Sequence, residues 1–140
     1  MTQSDQALLD AFESRTLSPT AFSHEDHIRV AFAALARYEF FDACLRVANG
    51  LRDLAGRAHV PAKFNATVTM AFLSQIAERM DVRDYAESGA FLVDNGDLMT
   101  GQAMRMFTPE RMGTETARRV ALLPDLGLPG PGQAGERPRA

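Results

Sequence analysis

The chain has one cysteine, no tryptophan and two tyrosines among 140 residues. Cys44 alone permits no internal disulfide and no zinc site built on cysteines. Positive charge is also in short supply. Lys+Arg number 15 against 18 Asp+Glu, giving a net charge of -3, whereas a nucleic-acid-binding surface normally shows a basic excess. No apolar run approaches the roughly 20 residues that a membrane-spanning helix needs. The opening residues, Met1-Thr2-Gln3-Ser4-Asp5, are polar and acidic, unlike a secretory signal. No stretch combines strict apolar/polar alternation with β-branched enrichment, so no strands are expected. These absences lead to the expectation of a soluble, cytoplasmic protein with neither a nucleic-acid nor a membrane partner. A homo-oligomer is left open.

What the chain does have is helix-forming composition. At 46% hydrophobic and 24% charged it is ordinary globular material, long enough for one core. Ala, Leu, Arg, Met and Glu dominate, all of them good helix formers. The expected fold is all-α, a compact bundle of about five main helices plus short C-terminal ones, covering residues 1–126. Residues 127–140 are Gly/Pro-rich with almost no apolar content and are expected to form a disordered tail.

The first helix is expected after Ser4, through Leu8, Leu9 and Phe12, and is interrupted at Leu17-Ser18-Pro19-Thr20. Ser23 with Asp26 three residues on forms a capping-box pattern for a second helix from His24 to Ala36. A third runs from Phe40 to His59, with Phe41, Cys44, Leu45, Ala48, Leu51 and Ala55 marking one face. Val60-Pro61 stops it. A fourth starts near Asn65 and carries Phe72, Leu73, Ile76 and Met80. The fifth spans Asp84 to Val93, with Asn95-Gly96 as a left-handed cap. Shorter pieces follow at Leu98–Met106, at Pro109–Met112 behind Thr108, and at Thr114–Val120.

Polar residues that fall on apolar stripes locate a candidate site. Ile28, Ala31 and Leu35 define the inward face of the second helix, and His24 and His27 begin it. The inward face of the fourth helix, with Phe72, Leu73 and Ile76, extends back to Thr69 and Asn65. His59 continues the stripe of Leu51 and Ala55 at the far end of the third. Short links make neighbouring helices antiparallel. The N-termini of helices two and four therefore meet the C-terminus of helix three, gathering His24, His27, His59, Lys63, Asn65 and Thr69. Helix N-termini, a lysine and imidazole donors favour an anionic or carbonyl-bearing ligand.

The run Phe22-Ser23-His24-Glu25-Asp26-His27-Ile28-Arg29-Val30-Ala31 resembles the F-x-H-x-D-H-hydrophobic-R-hydrophobic-A signature of a family of small, uncharacterised bacterial helical proteins. Lys63-Phe64-Asn65-Ala66-Thr67-Val68-Thr69, Phe107-Thr108-Pro109-Glu110-Arg111-Met112, Ala117-Arg118 and Pro124-Asp125-Leu126 continue the resemblance in order, over residues 7 to 129. The family has no settled activity, so the resemblance implies common descent more than a reaction. Its second block usually reads aromatic-His-x-Thr-x-Thr, and Asn65 stands here in place of that histidine. If the histidine is a ligand or base in relatives, the chemistry of this chain is altered.

Three uses of the histidines compete. At i, i+3, His24 and His27 can share a ligand, and with His59 as a third could hold a divalent transition metal. One of them can serve as an acid/base group. Or the imidazoles can bond to helix ends and to Thr69, purely for structure. Asp26 is expected to cap its own helix, Asn65 the fourth one, and Thr69 but not Thr67 to face inward. Arg118 and Asp125 are expected to pair. Cys44 is expected to be a buried, inert thiol. Met99, Met104, Met106 and Met112 are either core filler or the lining of an adaptable pocket. The functional expectation is a small-molecule enzyme with His24 and His27 as acid/base groups or metal ligands, acting on a polar or carboxylated substrate oriented by Lys63, Asn65, Thr69 and His59. The alternative is a non-catalytic helical module that binds a ligand or partner.

Overall fold

A computed structural model describes residues 1–127, and the expected disordered tail lies outside the described residues apart from its first residue. Among the described residues there is no strand, and the fold is all-α. Helices α1 (Gln3–Glu13), α2 (His24–Arg37), α3 (Phe40–Arg57), α4 (Ala66–Val82) and α5 (Ser88–Asp94) are followed by two 3-10 turns, Gly96–Met99 and Gly101–Met104. Two short helices, α6 (Pro109–Met112) and α7 (Glu115–Arg119), complete the order. Among the described residues no helix is long and apolar enough to cross a membrane.

Helix α2 is the centre of the molecule. Ile28, Val30, Ala31, Phe32, Ala33 and Ala34 are all buried, so it is apolar around most of its circumference. A helix buried on that much of its surface must be surrounded. Here α1, α3, α4 and α5 all pack against it. Alanines on α2 allow close approach, while Phe32 and Phe91 meet at a ring separation of 5.4 Å across the α2–α5 contact. Gly50 in the middle of α3 serves a similar end. A Cβ there would come within 2.1 Å of the Phe12 ring, so the missing side chain is what admits α1 to the core.

Several boundaries and faces differ from the sequence expectation. The buried side of α3 is Ala43, Cys44, Val47, Gly50 and Leu54, a stripe rotated from the expected one, leaving Phe41 and Leu45 exposed. Helix α5 starts at Ser88 rather than Asp84 because its first amide is capped from elsewhere: the Asp5 carboxylate accepts hydrogen bonds from the Ser88 N–H at 2.9 Å and hydroxyl at 2.6 Å. Asn95 has φ of -125°, so it is not a left-handed cap, and the chain passes directly into a 3-10 turn. Arg118 pairs with Glu115 instead of Asp125. The Asp125 carboxylate accepts from the Thr108 N–H at 2.8 Å and hydroxyl at 2.7 Å, fastening the C-terminal segment at the α6 N-cap, and these hydrogen bonds hold its pKa below the ordinary carboxylate value.

Thr67 is the largest surprise on α4. It is buried, with its hydroxyl 2.7 Å from the carbonyl oxygens of both Ala117 and Val120, and it accepts the Leu122 N–H at 3.0 Å. This one side chain ties the segment after α7 across the bundle.

Candidate functional site

The histidine-bearing start of α2 follows from local sequence. Ser23 is the N-cap of α2, with its hydroxyl accepting the Asp26 N–H at 3.1 Å and the Asp26 carboxylate accepting the Ser23 N–H at 3.0 Å. This capping box satisfies two otherwise orphaned donors and fixes the register of His24 and His27 in the first turn. Asp26 is thereby committed to the helix end, as expected. Asn65 does the same for α4, its Oδ1 accepting the Val68 N–H at 2.9 Å.

Between α2, α3 and α4 lies a cavity of about 550 Å³. Its floor is apolar and buried, formed by Ile28 and Ala31 of α2, Val47 of α3, and Leu73 and Ile76 of α4. Phe22, Leu51, Ala55, Val68 and Phe72 continue the apolar wall. His24, His27, Lys63, Asn65 and Thr69 are all lining residues, from the first turns of α2 and α4 and the short α3–α4 link. Lys63 is the only lysine in the chain and stands exposed at the rim. Five of the six residues expected to converge therefore do so.

His59 does not. It is exposed, with φ of 61°, the left-handed residue of a Schellman-type end to α3. Its N–H donates to the Gly56 carbonyl at 3.0 Å and the Val60 N–H to the Ala55 carbonyl at 2.9 Å. The helix has stopped before His59, so periodicity no longer says where its ring lies. The methionines near the C-terminus do not contribute either: Met99, Met104, Met106 and Met112 are absent from the cavity wall.

The two remaining histidines have different surroundings. The Nε2 of His24 lies 2.9 Å from the Leu98 carbonyl, which accepts its proton and leaves Nδ1 unprotonated in the neutral ring. The ring also meets Phe72 edge-on at 5.2 Å between centroids. The Gly96–Met99 turn that holds it is itself anchored by the Arg79 guanidinium, which donates to both Asp97 oxygens at 2.7 and 2.8 Å. His27 packs against the Phe22 ring at 4.7 Å and is 6.2 Å from His24. Neither of its ring nitrogens has a hydrogen-bond partner among the described residues. Bonds between imidazole and Thr69 are absent as well, so a purely structural role fits His24 and leaves His27 unexplained.

Burial holds the His27 pKa down at about 4, with the neighbouring His24 adding to the effect and Asp26 opposing it. Its ring is both reached by solvent and enclosed by protein, the condition of a group on the wall of a cavity. His27 is therefore neutral at pH 7. A histidine whose folded-state pKa is depressed takes up its proton first in the unfolded chain, so its effect on folding is unfavourable once pH falls below about 6.5. Stability should fall by about 1–2 kcal/mol between pH 7 and pH 4 on this account, after allowance for solvent screening in an open cavity. Urea unfolding across that range should show a shallower acid decline in His27→Asn than in the unmodified chain.

The donor set does not fit a resident metal. Only two imidazoles meet here, the Nε2 of one is engaged by a carbonyl, and among the described residues no group of three or more His, Cys, Asp or Glu side chains converges anywhere. Cys44 lies elsewhere, buried, its thiol pKa raised by burial and then by Glu39, which makes it a poor nucleophile. No family model matches the chain, and neither a curated protein nor a solved structure matches it.

Proposed function

We propose that this protein binds a small amphipathic molecule in the cavity between α2, α3 and α4, with His27 meeting its polar end. The observation that carries the reading is an imidazole without a hydrogen-bond partner among the described residues, on the wall of a pocket of ligand size. A neutral imidazole offers one N–H donor and one acceptor, and on the solvent-reached wall of this cavity both are open to the polar end of a ligand. The segments 22–31 and 63–69, on which the resemblance to the small bacterial family rests, supply His24, His27, Lys63, Asn65 and Thr69 to this cavity, with Thr20 the other polar lining residue. Asn65 keeps a donor there but gives up the base that a histidine would provide.

Binding is favoured over turnover by the same geometry. A general base works best with a pKa near the operating pH and an orienting partner, and His27, at about 4, has neither. Acid/base catalysis by the His24–His27 pair is the second reading, supported by the 6.2 Å separation of the two rings on one wall. In both readings Lys63, Asn65 and Thr69 orient the ligand.

Native mass spectrometry of untagged protein, before and after solvent extraction, tests the proposal. The expected result is one extractable small molecule per chain, lowered about tenfold in occupancy or affinity by His27→Ala, the equivalent of one lost hydrogen bond. Ala55→Phe, which fills the cavity, should exclude it. A bound molecule indifferent to both substitutions would sink the proposal.

A further inference from the structure

The composition of the cavity wall narrows the ligand further, and this inference rests on the binding reading above. Among the described residues no Asp or Glu lines the cavity, in a chain where acidic residues outnumber basic ones 18 to 15. The only charged side chain on the wall is Lys63, which has no ion pair or hydrogen bond among the described residues. Asn65 spends its Oδ1 on the Val68 N–H, so the amide Nδ2, a pure donor, is left over. The hydroxyls of Thr69 and Thr20 and the His27 N–H add to these donors, while the acceptor nitrogens of His24 and His27 stand against them, so donors still outnumber acceptors.

From this donor surplus beside a single cation, we infer that the ligand is a monocarboxylate with an apolar body, its carboxylate held among Lys63, Asn65, Thr69 and His27. An ionised carboxylate is all acceptor, with two oxygens and about four lone-pair sites to match these donors. One negative charge also matches one lysine. A phosphate would bring nearly two charges, and among the described residues no arginine fork is on the wall to meet them. The floor of Ala31, Val47, Leu73 and Ile76 offers nothing to a second polar group, which excludes sugars. An amino acid fails for another reason, since its ammonium would find no carboxylate.

Isothermal titration of the full chain with octanoate, octanol, octylamine and acetate separates head from body. Octanoate should bind one per chain and about tenfold or more tighter than octanol, with octylamine weaker still and acetate undetectable. Lys63→Met should weaken octanoate about threefold to tenfold and leave octanol unchanged. Asn65→Asp keeps a good N-cap while placing a like charge at the head, and should abolish the preference for octanoate, with circular dichroism confirming an intact fold. Octanol or octylamine binding as tightly as octanoate would overturn the carboxylate assignment and leave the amphipathic cavity standing. If neither octanoate, octanol nor octylamine binds, both the assignment and the cavity reading fail.

Discussion

Asp5→Ala is expected to lower the unfolding free energy by about 2–4 kcal/mol, more than any other polar truncation considered for this chain. Asp5 is only 3% exposed, although it sits in the first turn of α1. Its carboxylate accepts from the Ser88 N–H and hydroxyl, and the Arg29 guanidinium donates to the same hydroxyl at 2.8 Å. Glu87, the N-cap of α5, makes no side-chain capping bond of its own. The start of α5 is thus capped by a residue 83 positions away. Two charge-assisted bonds at about 1.5–3 kcal/mol each are lost, partly offset because no carboxylate then has to be desolvated. The Ser88 N–H is left buried without a partner, and that penalty falls on α5. Urea denaturation would measure the loss, and Asp5→Asn, which keeps an acceptor, should cost less. A change below about 0.5 kcal/mol in the alanine variant would show the contact to be inconsequential.

Thr67→Val should cost about 2–3 kcal/mol, and the loss should be local in its consequences. Valine matches threonine in shape but removes the hydroxyl, so the Ala117 and Val120 carbonyls and the Leu122 N–H lose their shared partner. Hydrogen exchange provides the sharper readout. Protection of the Leu122 amide should collapse while that of the α2 core is retained. Thr69→Val makes the natural control, because the Thr69 hydroxyl has no hydrogen-bond partner among the described residues and its replacement should leave folding stability within about 0.5 kcal/mol. Equal effects at 67 and 69 would contradict this assignment.

Thr67 and Thr69 also show where sequence reasoning about the site succeeded and where it misplaced a role. Periodicity on α4 put Thr69 on the cavity side, and the cavity includes it. The same periodicity dismissed Thr67, because a helix buried on two sides has no single inward face. The segment after α7 covers that second side, and nothing in the local pattern of α4 announces it. His59 failed for a different reason. A Gly or Asn is the usual left-handed residue after a helix, so an Ala-His-Val end carried no stop signal before Pro61. The helix ends at Arg57, two residues short of His59. His24 and His27 succeeded because a capping box fixes helix register through local bonds alone.

Local physics thus decided a great deal without the fold. Helix formers, caps at Ser23, Asn65 and Thr108, and short links were enough to specify an all-α chain and to send the polar starts of α2 and α4 to a common end. These are interactions between residues three or four apart, which a sequence displays directly. Only the tertiary structure decided that the convergence encloses a cavity rather than a packed core, because whether side chains fill a space depends on the distance between helices. It also decided that His24 has a partner and that His27 has none among the described residues. The Leu98 carbonyl lies 74 residues along the chain from His24, and no local pattern encodes a bond over that separation.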